Sequence, residues 1–133
     1  MVQVELSKII IDEKSHDQVI VLREKNGPRQ IPIMIGSVEA SSIQMRISGV
    51  ESPRPLTHDL LVLLIKGLGA EAECVLIDDF VEGTYFAKIR LKKESGDVVL
   101  VDARPSDAVS LSVRMKLPIY VEEDVFHKTV ASE

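Results

Sequence analysis

The sequence is poor in aromatic residues and has one cysteine, and both shortages restrict what the protein can be. Its 133 residues include three phenylalanines, two tyrosines and no tryptophan. We therefore expect an aliphatic core and few rings on which the bases of single-stranded nucleic acid could stack. Cys74 has no second cysteine to pair with, so nothing in the chain requires an oxidising compartment.

The sequence also lacks a long hydrophobic run and an excess of positive charge. No segment approaches the roughly 18 apolar residues of a membrane span, and the isoleucines at 9–11 are too few for a signal peptide. We expect a cytoplasmic protein that does not enter a membrane. The net charge of −5 disfavours a general nucleic-acid-binding surface, because such proteins are usually basic over at least one face. Any basic surface must therefore be local.

Apolar periodicity and turn residues predict one α+β domain over residues 1–133, with a mixed, mostly antiparallel sheet and about three helices packed on it. The predicted strands are 2–11, 18–23, 30–35, 72–79, 84–92, 98–102 and 118–121, and the predicted helices are 37–48, 57–68 and 106–116. Pro32 indicates an edge or bulged strand, and Gly69 is placed to end the second helix. That helix has a broad apolar face, made by Leu60, Leu61, Leu64, Ile65 and Leu68.

Two predicted helix entrances contain the same four kinds of residue: an arginine, a proline, a hydroxyl residue and an aspartate. One runs from Arg54 to Asp59 and the other from Asp102 to Asp107. Thr57 and Ser106 are predicted as N-caps, and an aspartate in the first turn complements the helix dipole. Helix formation therefore explains these residues without any function. It does not explain the arginines, because a cation is unfavourable at the positive end of the dipole.

The arginines point to a phosphate site. Arg54 and Arg104, each beside free helix N–H groups, would bind a phosphate, with Thr57 and Ser106 as further substrate-binding groups. A structural ion pair between the two segments, such as Arg54 to Asp107, is the alternative explanation.

One histidine of the three lies among these groups. His58 follows the predicted cap of the second helix and is a candidate general acid or base. His16 lies in a polar turn and His127 in a charged tail, and both are expected to be exposed.

Three aspartates are candidates for a divalent cation site. Asp102 ends the apolar strand 98–101, at a position where α/β proteins often project functional carboxylates. If Asp59, Asp102 and Asp107 converge, their oxygens would bind Mg²⁺ or Mn²⁺, as in phosphoryl-transfer sites. Asp59 and Asp102 would then be catalytic together with His58. Glu39, in the first turn of the first helix, is better explained as a partner of the helix dipole.

Four blocks of this sequence match a known family. They are Ile33-Met34-Ile35-Gly36 with Glu39-Ala40, the run from Pro53 to Leu61, the run from Asp102 to Ala108, and Leu117-Pro118-Ile119-Tyr120-Val121. With these blocks the chain resembles the bifunctional nuclease domain family, also called the DNase-RNase domain, over nearly its whole length. The resemblance implies an α+β fold with a mixed sheet, nuclease activity on RNA and DNA, and a homo-oligomer, with a dimer favoured.

Three hypotheses for the function follow. The first is a nuclease, with Arg54 and Arg104 holding the phosphate and a divalent cation assisting the cleavage. The second is a non-catalytic homo-oligomeric module that binds a phosphate-bearing ligand or a protein partner, which the acidic charge and the few aromatic residues favour. The third is an Arg–Asp lock that ties the two helix starts together or bridges subunits.

Overall fold

Seven strands form one sheet in the computed structural model, which describes residues 1–12, 14 and 17–131. The elements in chain order are β1 (Val2–Ile11), β2 (Asp17–Glu24), β3 (Gln30–Gly36), α1 (Ser37–Ile47), α2 (Thr57–Gly67), β4 (Glu71–Val81), β5 (Thr84–Lys92), β6 (Val98–Ala103), α3 (Pro105–Met115), β7 (Ile119–Val121) and α4 (Glu123–Ala131). The sheet order is β3-β2-β1-β7-β4-β5-β6. The predicted exposure of His16 lies outside the described residues.

The short strand β7 joins the two halves of the sheet. It pairs antiparallel with β1 on one side and parallel with β4 on the other, and the other neighbouring strands are antiparallel. The α+β class and the mixed sheet are therefore confirmed. Pro32 lies in β3 at one end of the sheet order, as predicted for a residue that cannot donate to a ladder. Gly69 follows α2 with a φ of 74°, the left-handed conformation expected there.

The core is aliphatic, as the lack of aromatic residues predicts. Its largest fully buried side chains are isoleucine, valine and leucine together with one serine. The helix count of about three was wrong, because the described part of the chain has four. The fourth, α4, begins with the acidic residues Glu123 and Asp124, and it buries Val125 and Phe126 against the core. Its acidic first turn complements the helix dipole rather than marking a loop.

The apolar face of α2 is mostly exposed. His58 is the one buried residue of this helix, and Leu60, Leu64 and Leu68 have exposed fractions of 50%, 53% and 79%. None of the described helices has the length and apolarity that a membrane span requires. The cytoplasmic location stays a prediction.

Candidate functional site

The first turns of α2 and α3 meet, which brings the two Arg-Pro segments together. The predicted N-caps were wrong by one or two residues. Leu56 caps α2, and its backbone N–H donates to the Asp59 carboxylate at 3.1 Å. Arg104 caps α3, because Pro105 occupies the first helical position, where its missing N–H removes no helical hydrogen bond.

A chain of polar contacts crosses this junction. Nε2 of His58 lies 2.8 Å from Oδ1 of Asp107, and Nε of Arg104 donates to Oδ2 of the same carboxylate at 2.9 Å. Nη1 of Arg104 also donates to Oε1 of Glu39 on α1 at 3.3 Å. Glu39, which sequence reasoning assigned to the helix dipole, is thus part of the cluster. The structure joins α1, α2 and α3 through one imidazole, two carboxylates and one guanidinium.

The charge state of Asp107 fixes the tautomer of His58. Burial raises the pKa of the Asp107 carboxyl, but the hydrogen bonds from Arg104 and His58 outweigh it and hold the pKa below its usual range. An ionised carboxylate only accepts hydrogen bonds, so Nε2 of a neutral His58 carries the hydrogen. Nδ1 then keeps its lone pair, and no residue that the structure describes pairs with it. This nitrogen is chemically able to accept a proton.

The cluster opens into a cleft of about 560 Å³ between α1 and the starts of α2 and α3. We call it the His58 cleft; it is lined by Ser37, Val38, Glu39, Ser41, Ser42, Met45, Leu56, Thr57, His58, Arg104 and Asp107. The His58 side chain is 11% exposed, whereas that of Arg104 is 65% exposed. The cleft therefore presents an exposed cation beside a nearly buried imidazole that its carboxylate partner orients.

Asp59 belongs to a second, more buried cluster. Arg114, whose side chain is 4% exposed, donates from Nε to Oδ1 of Asp59 at 2.8 Å. Its other nitrogens donate to Oγ of Ser110 at 2.7 Å and to Oγ of Ser42 at 2.9 Å. This cluster ties α1, α2 and α3 together, but Arg114 lies in the last turn of α3, so it is not the suggested lock between two helix starts. Sequence reasoning missed Arg114, although Asp107, Ser110 and Arg114 recur at helical spacing and indicate a polar stripe on α3.

The two aspartates make the stability sensitive to acid. Burial raises the pKa of Asp59, but Arg114 and the Leu56 N–H outweigh it, so this pKa also lies below its usual range. A lowered folded-state pKa stabilises the fold above the unfolded value of about 3.9. That contribution is lost as the pH falls through the folded-state pKa.

We therefore expect the free energy of unfolding, measured in urea, to fall as the pH is lowered from about 5 to below 3. The free energy of unfolding should fall less steeply with pH in Asp59→Asn, because an asparagine has no charge to lose at this position. Asp102→Asn, whose target carboxylate is 79% exposed, provides the baseline. Equal slopes in wild type and Asp59→Asn would contradict this assignment.

Asp102 does not join either cluster. In the β5–β6 ladder it lies opposite Lys88, whose neighbours Ala87 and Ile89 point into the core. Side chains alternate across a strand, so Asp102 projects from the other face of the sheet. There it pairs with Lys88 at 3.3 Å. The convergence of Asp59, Asp102 and Asp107 that a shared cation would require does not occur, because strand alternation directs Asp102 away from the helix starts.

The described residues contain no group of three His, Cys, Asp or Glu side chains that could hold one metal ion. The three predicted ligands do not fit a shared cation, since two of them already pair with arginines and the third lies on the opposite face. Binding of Mg²⁺ or Mn²⁺ stays a prediction, and it would need ligands other than this set.

The remaining predicted residues are divided among three places. Arg54 is exposed in the segment before α2, and no described residue pairs with it. The suggested ion pair from Arg54 to Asp107 is therefore wrong, because Arg104 and His58 occupy that carboxylate. Thr57 lines the His58 cleft. Ser106 is 7% exposed and lines a neighbouring cleft that also reaches Arg104.

Comparison with known proteins identifies the family. The model of the bifunctional nuclease domain matches residues 20–133. The chain belongs to this family. The matched segment contains all residues of both clusters, Glu39, Ser42, His58, Asp59, Arg104, Asp107, Ser110 and Arg114.

Two kinds of relative share this domain. An uncharacterised protein of Mycobacterium tuberculosis is 43% identical over 125 residues, which cover 94% of this chain and 74% of the relative. Bifunctional nuclease 2 of Arabidopsis thaliana is 27% identical over 110 residues, and bifunctional nuclease 2 of Oryza sativa subsp. japonica is 29% identical over 118 residues. These matches cover 81% and 86% of this chain but 33% and 36% of the plant proteins.

Proposed function

We propose that the protein hydrolyses phosphodiester bonds of RNA and DNA in the His58 cleft. The observation that carries the proposal is the His58–Asp107 pair, which opens into a cleft beside an exposed arginine. A histidine oriented by an ionised carboxylate is a common arrangement for proton transfer near neutral pH. The names of the plant relatives support the choice of nucleic acid as substrate.

In the proposed reaction His58 moves the proton. Nδ1 of His58 accepts the proton of the attacking water as the water oxygen bonds to phosphorus. The P–O bond on the opposite side breaks, the leaving oxygen takes up a proton from solvent water, and the His58 imidazolium then returns its proton to solvent. Asp107 holds Nε2–H, which keeps the neutral tautomer and stabilises the imidazolium that forms. Asp107 is thus a positioning residue, and His58 is the catalytic one.

Arg104 supplies the charge that binds the phosphate. Its contact with Glu39 is an exposed ion pair of the kind worth at most about 1 kcal/mol, so a phosphate oxygen can displace it. The 2.9 Å contact of Nε with Asp107 can remain and anchor the guanidinium. Nη1 and Nη2, which donate to Glu39 and to Oδ1 of Asp107 at 3.3 Å each, would exchange these longer contacts for phosphate oxygens. Arg54 is exposed on the segment leading to α2 and adds a second cation for the nucleic-acid backbone.

Arg104→Ala is expected to lower kcat/KM for single-stranded RNA and DNA by about 10–100-fold, the effect of losing one or two charge-assisted hydrogen bonds to phosphate. Arg90→Ala, which removes another exposed, ion-paired arginine, is the matched control and should keep wild-type activity. Cleavage of labelled oligonucleotides by tag-free protein measures both. Unchanged activity in Arg104→Ala would remove Arg104 from the substrate site.

Asp102→Asn is expected to keep wild-type cleavage, since Asp102 projects from the face of the sheet opposite to the core. The same oligonucleotide assay measures it. A loss of activity comparable to that of Arg104→Ala would return Asp102 to the candidate site and would contradict its exclusion from the His58 cleft.

A second candidate function is the non-catalytic binding module. The arrangement of Arg104 between the carboxylates of Glu39 and Asp107 favours it, because the cluster as a whole is not strongly positive. Thermal stabilisation by a nucleotide without turnover would support this function over the nuclease.

A further inference from the structure

A second cleft shares Arg104 with the His58 cleft, and the proposed reaction makes no use of it. Its volume is about 590 Å³, which is within the range of small-molecule binding sites. We call it the Tyr85 cleft; its lining includes Ile33, Ile35, Phe80, Tyr85, Arg104 and Ser106. Because Arg104 lines both clefts, a phosphate that binds this arginine lies where the two clefts meet.

Two of the five aromatic rings of the chain meet at the Tyr85 cleft. The rings of Phe80 and Tyr85 have centroids 4.4 Å apart and are tilted by 43°, and both residues are half-buried. The Tyr85 hydroxyl lies 3.2 Å from Oγ1 of Thr129, which holds the ring in place. Aromatic rings that stay partly exposed are surfaces on which nucleobases stack. The fold therefore places a stacking surface beside the arginine that is expected to bind phosphate.

Ser106 is a buried residue with an unused hydroxyl. It is 7% exposed and lines the Tyr85 cleft, and no described residue forms a hydrogen bond with its Oγ. Its backbone N–H is also unpaired within the described chain, because the first helical hydrogen bond of α3 comes from Ala108. Buried polar groups normally have partners, and a hydroxyl at a helix N-terminus is well placed to bind a phosphate oxygen. Ser106 thus lacks the partner that a bound phosphate would supply.

The charges of the Tyr85 cleft limit what it can bind. Arg104 and Asp17 are the charged residues among the described residues that line it, and the others are apolar, hydroxyl or glycine residues. One arginine is enough for one phosphate, and a second phosphate would find no cation in this cleft. The apolar part of the lining suits a flat, neutral ring. The cleft therefore fits a ligand with one phosphate and one ring system, which is the composition of a single nucleotide unit.

We propose that the Tyr85 cleft binds the nucleotide next to the cleaved bond, with its phosphate on Arg104 and Ser106 and its base against Tyr85. This assignment rests on the proposed nuclease function, because Arg104 binds the same phosphate in both. A base inside the cleft has left the stack and the pairing of a duplex. The Tyr85 cleft thus selects unpaired strands of nucleic acid, which the His58 cleft then cleaves.

An NMR titration of the full chain with two phosphate compounds tests the site without reference to cleavage. Adenosine 5′-monophosphate is expected to bind about 10-fold more tightly than ribose 5-phosphate, the effect of stacking one base on an aromatic ring. Its binding should shift the amide signals of Thr84, Tyr85 and Ser106. Equal affinities of the two compounds, or shifts confined to residues outside the cleft, would overturn the assignment.

Tyr85→Leu tests the base-binding part of the site. It keeps an apolar side chain but removes the ring, so adenosine 5′-monophosphate should lose its advantage while ribose 5-phosphate binds as before. Phe86→Leu is the matched control, because Phe86 is the next residue of β5 and projects from the opposite face of the sheet. An advantage that persists in Tyr85→Leu, or is lost in Phe86→Leu, excludes Tyr85 as the base-binding ring. If Tyr85→Leu does not fold, the wild-type titration alone decides.

Ser106→Ala tests the phosphate-binding part. It is expected to weaken the binding of both compounds about 10-fold, the effect of losing one hydrogen bond to a charged group. Its melting temperature should equal that of wild type, since the hydroxyl has no partner to lose among the described residues. Unchanged affinities together with a lower melting temperature would make Ser106 a structural residue and remove it from the site.

Competition with an oligonucleotide distinguishes a strand from a free nucleotide as the ligand. A single-stranded oligoadenylate with phosphorothioate linkages, chosen to resist cleavage, is expected to displace adenosine 5′-monophosphate. The same strand in a duplex should displace it at least about 10-fold less well, because its bases must first unpair. Equal displacement by both forms, or none by the single strand, would overturn the selection of unpaired strands. Failure of the nuclease function would look different, namely displacement as expected but no cleavage of any oligonucleotide.

Discussion

His58→Ala is expected to lower kcat/KM for single-stranded RNA and DNA by about 10²–10⁴-fold, the range for removal of a general acid or base. The physical reason is that no other side chain in the described cluster is available to accept the proton of the attacking water. Glu39 and Asp107 both pair with Arg104. The measurement is cleavage of labelled oligonucleotides by variants purified in parallel with wild type.

His127→Ala is the matched control for this substitution. The side chain of His127 is 70% exposed on α4, as predicted from its charged surroundings, and its removal should leave both folding and cleavage unchanged. Parallel purification with this control also separates the activity of the protein from that of a contaminating nuclease. Equal activity of His58→Ala and His127→Ala would mean that His58 is not catalytic.

Arg114→Met is expected to destabilise the fold by about 3 kcal/mol, the lower end of the range for breaking a buried ion pair. The side chain of Arg114 is 4% exposed, whereas that of Asp59 is 37% exposed, so water relieves part of the carboxylate's loss. Two serine hydroxyls lose their partner as well. Thermal unfolding should show a melting temperature lower by roughly 10 °C.

Arg90→Met provides the comparison for this prediction. Arg90 pairs with Glu73 on the surface, with side chains that are 49% and 37% exposed, and an exposed pair is worth at most about 1 kcal/mol. If both variants lose the same stability, the Arg114 cluster does not tie the three helices together. If Arg114→Lys restores wild-type stability, a point charge is sufficient and the guanidinium contacts to the serines are not needed.

Patterns within single segments of the sequence predicted most of the helices and strands and about half of the residues of the candidate site. Hydrophobic periodicity and turn residues located seven strands and three helices, and the repeated Arg-Pro segment located His58, Arg104 and Asp107. These three meet because both segments open helices that pack side by side. Asp102 was misplaced for an equally local reason. It follows an apolar strand in sequence, but the alternation of β6 turns it to the opposite face.

The missed residues depend on contacts that a single segment does not reveal. Arg114 is in the last turn of α3, where a basic residue is ordinarily explained by the helix dipole, and its partners come from α1 and α2. The face of α2 shows the same limit. Its spacing predicts a packed helix, but the sequence does not say whether the packing partner lies within the chain.

The most direct test of the proposed function is chemical rescue of His58→Ala by imidazole. The substitution removes the ring beside Asp107 and leaves a space that opens into the His58 cleft. If His58 transfers the proton, added imidazole should restore cleavage by His58→Ala in proportion to its concentration and leave His127→Ala unchanged. Wild-type cleavage by His58→Ala without imidazole would contradict the proposed mechanism.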